Sequence, residues 1–254
     1  TPDASFNFPP DSAFHPSLLA RQADGRIVAA GLVDTQWTVR RYFGDGTLDP
    51  AFGLVGRFTA GAALDELDVR KLLVQADDSV LLVGTVRVAG EVRMTALRLS
   101  ADGAQDAGYH DGGVATLEFD AGDADVRDAL LQDDGKLFIV GSITDAAGPT
   151  AGRRGAIVRL TRNGLLGRTF STSGMRQSDN ADHATELTAV RVAANGDLVV
   201  AGTSFDAATN GSQSLLHAWA GDDRTTAVFD AVPAARNDAL GSVVLRFSRA
   251  VTGL

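Results

Sequence analysis

The stretch "RQADGRIVAAG", Arg21–Gly31, decides the fold because the chain repeats it. It returns as "VQADDSVLLVG" (Val74–Gly84), "LQDDGKLFIVG" (Leu131–Gly141) and "VAANGDLVVAG" (Val192–Gly202), with terminal glycines 53, 57 and 61 residues apart. Six residues before each of those glycines stands Gly25, Asp78, Gly135 or Gly196, a residue suited to positive φ. The flanks are apolar and rich in β-branched residues, so each copy reads as a hairpin closed by a tight turn. A fixed period of this length marks a repeat architecture, in which each unit buries its apolar faces on its neighbours.

A second element follows each hairpin: "VRRYFGDG", "ALRLSADG", "IVRLTRNG" and "VLRFSRAV", with Arg41, Arg98, Arg159 and Arg246 in register. The first three arginines are followed by Asp45-Gly46, Asp102-Gly103 and Asn163-Gly164. Then come "GRFTA" from Gly56, "GVATLEF" from Gly113 and "SGMRQS" from Ser173, each suited to a fourth strand. Four short strands per repeat predict an all-β chain and a β-propeller. Arginines that recur in every repeat point to structure, through bidentate pairing with a carboxylate between blades.

The run of a turn Asp-Gly, a strand ending in "VAG", a strand carrying an arginine, and then "DGTLDPAFG" (Asp45–Gly53) resembles the bacterial delta-60 repeat. That resemblance implies a propeller of unassigned function, found largely in exported or surface-associated proteins. It supplies no catalytic motif. The chain departs from the pattern at Asp77-Asp78 and at "LLGRTF" after Gly164. The opening "TPDASFNF" echoes the "DPAF" of Asp49–Phe52. The expectation is therefore one domain over 1–254, a propeller of four blades closed by the N-terminal strand joining the C-terminal blade. Closure removes exposed strand edges. Five blades is the alternative, if the region after Trp219 folds as its own unit. From strand glycine to aligned arginine the spacing is 10, 14, 18 and then 44 residues, which predicts an inserted hairpin within 205–240 of the last blade.

Composition bounds the function. The 254 residues carry a net charge of −9, which argues against nucleic-acid partners. The absence of cysteine excludes disulfides and thiolate chemistry. No apolar run is long enough for a membrane-spanning helix. "TPDAS" is compatible with a mature N-terminus left by a removed signal peptide, so the expected location is secreted, periplasmic or cell-surface.

Loops between second and third strands and loops between blades should share one face, and the variable lengths all fall there. Binding residues favour such loops. The same face carries Asp65 and Asp68, Asp123 and Asp125, and Asp179 and Asp182. Summed charge of this kind attracts basic partners. The carboxylates are also of the type that chelates calcium, but no segment matches a calcium loop, so no cofactor is expected. His15, His110, His183 and His217 show no ligand spacing. His217 and Trp219 in the expected hairpin are candidate contact residues. The leading expectation is an exported, non-enzymatic binding or scaffold module engaging a protein partner or a larger extracellular assembly through its long-loop face and the inserted hairpin. The competing one is a hydrolase or lyase with a carboxylate or metal site at the axial mouth.

Overall fold

The computed structural model describes residues 13–61, 64, 66–119, 122–144, 152–177, 183–193, 196–206 and 211–219. These residues form four antiparallel sheets, each built from consecutive strands. The first is β1 (Phe14–Arg21), β2 (Ile27–Val33), β3 (Gln36–Tyr42) and β4 (Arg57–Thr59), and the second is β5 (Asp68–Val74), β6 (Val80–Val88), β7 (Glu91–Leu99) and β8 (Val114–Thr116). The third is β9 (Asp123–Leu131), β10 (Leu137–Thr144), β11 (Arg153–Leu160) and β12 (Met175–Gln177), and the fourth is β13 (His183–Val192), β14 (Leu198–Asp206) and β15 (Gly211–Trp219). The hairpin turns are as the sequence predicts. Gly25, Asp78, Gly135 and Gly196 have φ of 92°, 62°, 83° and 85°, which only glycine and the short polar residues adopt readily.

The chain divides into two compact units. The first contains Thr1–Glu118 with Asp133–Gly135 and Arg162–Leu165; the second contains Phe119–Gln132, Lys136–Thr161 and Leu166–Leu254. In the first unit, Val28, Ala30, Trp37 and Val39 bury against Leu72, Val80, Leu82 and Leu97. In the second, Phe138, Val140 and Ile157 bury against Leu187, Val190, Leu198 and Val200.

The strand glycines answer to a bulge. In each sheet the first strand carries one extra residue, Ser17, Arg70, Arg127 or Thr188, with no partner on the second strand. A Cβ at Gly31, Gly84, Gly141 or Gly202 would lie 2.0, 1.9, 1.8 or 2.2 Å from the carbonyl oxygen of His15, Asp68, Asp125 or Glu186. No other residue fits.

The recurrent arginines form a brace. In the first unit Arg41 Nε donates to Asp49 Oδ2 at 2.8 Å, its guanidinium lies 4.9 Å from the centre of the Phe52 ring, and Nη1 donates to the Ala101 carbonyl. Arg98 repeats the arrangement: Nε to Asp106 Oδ2 at 2.8 Å, the Tyr109 ring at 4.6 Å, and Nη1 to the Arg162 carbonyl at 2.7 Å. In the second unit Arg159 stands 5.5 Å from the centre of the Phe170 ring, and Thr169 takes over as acceptor where the position eight residues on is Gly167. The carboxylate expected between blades thus lies in the arginine's own repeat, and the reach to the next repeat is to a backbone carbonyl.

One alignment is corrected. Arg41, Arg98 and Arg159 lie opposite Val28, Leu81 and Phe138, but the residue opposite Val199 is Ala218, not Arg246. The third strand of the fourth sheet follows its hairpin after residues 207–210, so Gly202 to Ala218 spans 16 residues, in line with the other repeats. Ser214–Trp219, the start of the expected added hairpin, lies within β15 and pairs with β14 throughout. The rest of that segment, and the N-terminal strand expected to close the ring, lie outside the described residues.

Candidate functional site

The ends of the strands opposite the hairpin turns carry most of the ion pairs. In the first unit, Asp68 opens β5 and pairs with the bulge residue Arg70 at 2.7 Å. Glu66 pairs with Arg87 at 2.7 Å, and Arg93 pairs with both Glu118 and Glu91. In the second unit the pairs fuse into a cluster. Arg127, the bulge residue of β9, reaches Asp125 at 2.8 Å and also Glu186. Arg153, at the start of β11, lies 3.3 Å from Glu186 and 3.6 Å from Asp125. Its Nε donates to the hydroxyl of the fully buried Ser142 at 3.0 Å, which fixes the guanidinium. All four ionised side chains remain 21 to 40% exposed.

The bulge produces this arrangement. It places an extra side chain two residues after the carboxylate, and in the second and third sheets that side chain is arginine: Asp68-Val69-Arg70 and Asp125-Val126-Arg127. The expected acidic face is therefore amphoteric. Exposed pairs of this kind contribute about 0–1 kcal/mol each, so they add little to the fold and remain free to exchange partners.

Other sequence-predicted residues fall elsewhere. Asp123 is exposed at the start of β9, beside the Asp125 cluster in sequence. Asp65, Asp179 and Asp182 lie outside the described residues. His217 sits in β15 opposite Val200, and burial pushes its imidazole pKa down, so it is neutral at pH 7. Trp219 closes the same strand opposite Leu198. Among the described residues, no three His, Asp or Glu side chains converge as a metal ion requires. Sequence reading missed Arg70, Arg127, Arg153 and Glu186; the recurring Asp-Val-Arg triplet was the available signal.

Other perturbed carboxylates lie at the turns. Burial alone would raise Asp77, but hydrogen bonds from Ser79 and Arg162 outweigh it and bring the pKa down to about 2. Asp45 and Asp102 are lowered by hydrogen bonds from Thr47 and Ser100. Burial pushes the Tyr109 phenol up, opposed by Arg98.

Residues 22–52, 75–109 and 132–170 match the family described as a domain of unknown function (DUF5122) β-propeller. Each match begins at the glutamine that precedes a hairpin turn and includes the aromatic residue beneath a brace arginine, Phe52, Tyr109 or Phe170. Similar solved structures include YCF48 from Cyanidioschyzon merolae, 12% identical with a TM-score of 0.40, covering 76% of this chain and 49% of that one. Drosophila Plexin A in complex with Semaphorin 1b is 10% identical with a TM-score of 0.47, covering 80% and 40%. A streptogramin B lyase is 12% identical with a TM-score of 0.36, covering 83% and 71%. The chain spans half or less of the first two. No curated protein matches the sequence. The first three repeats thus match a β-propeller domain of unknown function.

Proposed function

We propose that this chain is a non-enzymatic binding or scaffold module that engages a protein partner, or a larger extracellular assembly, through the face opposite the hairpin turns. The observation that carries this reading is the Asp125–Arg127–Glu186–Arg153 cluster, with Asp68–Arg70 at the equivalent bulge of the second sheet. A partly exposed cluster of both signs, held by backbone bulges and a buried serine, is suited to recognising a surface of complementary charge pattern. Electrostatic matching of this sort sets specificity and association rate. We assign the chain to the exterior of the cell on the delta-60 resemblance, taking that repeat and the matched propeller domain as the same unit. The architecture we infer has four blades, closed by the N-terminal segment.

The test is capture of partners from an extract of the source cells by the intact chain and by two charge-reversed variants. Arg127→Glu with Arg153→Glu alters the loop-end face; Arg162→Glu alters the turn face. The reading predicts a salt-sensitive partner that the first variant loses and the second retains. Equal capture by all three proteins would refute it.

A further inference from the structure

The brace has a second half, and it defines a recognition site on the first sheet. In the first unit the turn at residues 101–103 is gripped by the preceding repeat. Gly53 N–H donates to the Asp102 carbonyl at 2.6 Å, Arg41 holds the Ala101 carbonyl, and a Cβ on Gly103 would lie 2.7 Å from the Phe52 ring. The turn at 162–164 is gripped the same way. His110 N–H donates to the Asn163 carbonyl at 2.8 Å, Arg98 holds the Arg162 carbonyl, and a Cβ on Gly164 would lie 2.8 Å from the Tyr109 ring. The grip thus combines an Asp-x-x-aromatic segment, Asp49–Phe52 or Asp106–Tyr109, with a glycine that must lack a side chain.

The first sheet presents the same turn. Phe43 N–H bonds the Thr47 carbonyl at 2.8 Å and Gly46 N–H bonds the Phe43 carbonyl at 2.9 Å, matching Ser100 to Ala104 and Gly103 to Ser100, both 2.8 Å. Gly46 is buried with φ of 87°, beside 85° for Gly103 and 79° for Gly164. Among the described residues, none from another repeat bonds this turn. On the same side of the sheet Leu19 is 70% exposed, in the row where Leu72, Ala129 and Val190 are 7%, 6% and 0% exposed. This side of the first sheet is built to be covered.

The geometry points to one occupant: the chain's own N-terminal segment Asp3-Ala4-Ser5-Phe6, which has the Asp-x-x-aromatic spacing of Asp49–Phe52 and Asp106–Tyr109. We infer that Phe6 lies against Gly46, and that the residue after it bonds the turn as Gly53 and His110 bond theirs. The site is thus a peptide-recognition surface for an Asp-x-x-Phe/Tyr turn, the conformation in which Phe52 N–H and Tyr109 N–H donate to the Asp49 and Asp106 carbonyls at 3.3 and 3.0 Å. The inference does not depend on what the loop-end face binds, nor on which strand the N-terminal segment pairs with.

Amide hydrogen exchange of the full chain tests it. Phe6→Ala and Asp3→Ala are expected to speed exchange at residues 43–47 roughly tenfold, the loss of about one hydrogen bond with its packing. Phe6→Tyr should keep protection because Tyr109 fills the equivalent place, and Phe8→Ala should leave the turn unchanged. Equal exchange at 43–47 in Phe6→Ala and Phe8→Ala would overturn the inference. Should Phe6→Ala fail to fold, photoreactive p-benzoylphenylalanine at position 6 replaces it. Cross-links to 43–47 support the inference, and cross-links confined to other regions overturn it.

Discussion

The same chemical pair does two different jobs in this molecule. At the turn face, Arg41 and Asp49 meet at 2.8 Å with 6% and 2% of their side chains exposed. At the loop-end face, Arg70 and Asp68 meet at 2.7 Å with 49% and 48% exposed. Distance does not separate the two; solvent does. In the buried pair each charge has given up its water and depends on its partner, so removal of one strands the other. In the exposed pair water replaces a missing partner at little cost. The turn face is therefore architecture, and the loop-end face is surface that can be committed to another molecule.

The largest effect should come from the buried side. Arg41→Ala leaves Asp49 with Arg26, 3.3 Å away, and the Ala51 N–H at 3.0 Å, and is expected to cost about 3 kcal/mol in urea denaturation. Gly141→Ala is next, because its Cβ would sit 1.8 Å from the Asp125 carbonyl and the bulge must shift. We expect a loss of about 2 kcal/mol and a displaced Arg127, seen as altered partner capture without unfolding. Val55→Gly should stabilise the chain by about 1 kcal/mol. Val55 is a β-branched, exposed residue at φ 54°, where the second sheet uses Gly112 at 61°.

Acid sensitivity sharpens the contrast further. Asp77 titrates near 2 in the folded chain against an ordinary 3.8, so its contribution is present above about pH 4 and is lost as pH falls toward 2. Asp77→Asn should flatten that part of the stability profile, measured by thermal melts across the window. The smallest effect belongs to the loop-end face: Arg70→Ala should change stability by no more than about 0.5 kcal/mol.

Much of the fold was legible because tight turns and pleated strands leave chemical marks. A position needing positive φ selects Gly or Asp, and Gly25, Asp78, Gly135 and Gly196 gave four hairpins at once. The strand glycines were legible as constrained, while the bulge that constrains them was visible only in the pairing. The fourth sheet's third strand was missed because the alignment followed arginine, which the segment "VLRFSRAV" carries and β15 does not. Backbone pairing has no use for the arginine. It favours the strand nearer in sequence, β15, which begins five residues after β14 ends and so costs little entropy to bring back. The site was half legible. The carboxylates at Asp68 and Asp125 stood out as charge, but their arginines did not, since residues two apart share a face in any strand and the Asp-Val-Arg spacing alone does not mark an ion pair.

Double-mutant cycles on the two pairs test the account most directly. Arg41→Ala, Asp49→Ala and the double variant are set against Arg70→Ala, Asp68→Ala and their double variant, with unfolding free energies measured by urea titration. The account predicts a coupling of about 2 kcal/mol or more for the turn-face pair and below about 0.5 kcal/mol for the loop-end pair. Equal couplings, or a larger one at the loop ends, would contradict the division of labour between the two faces.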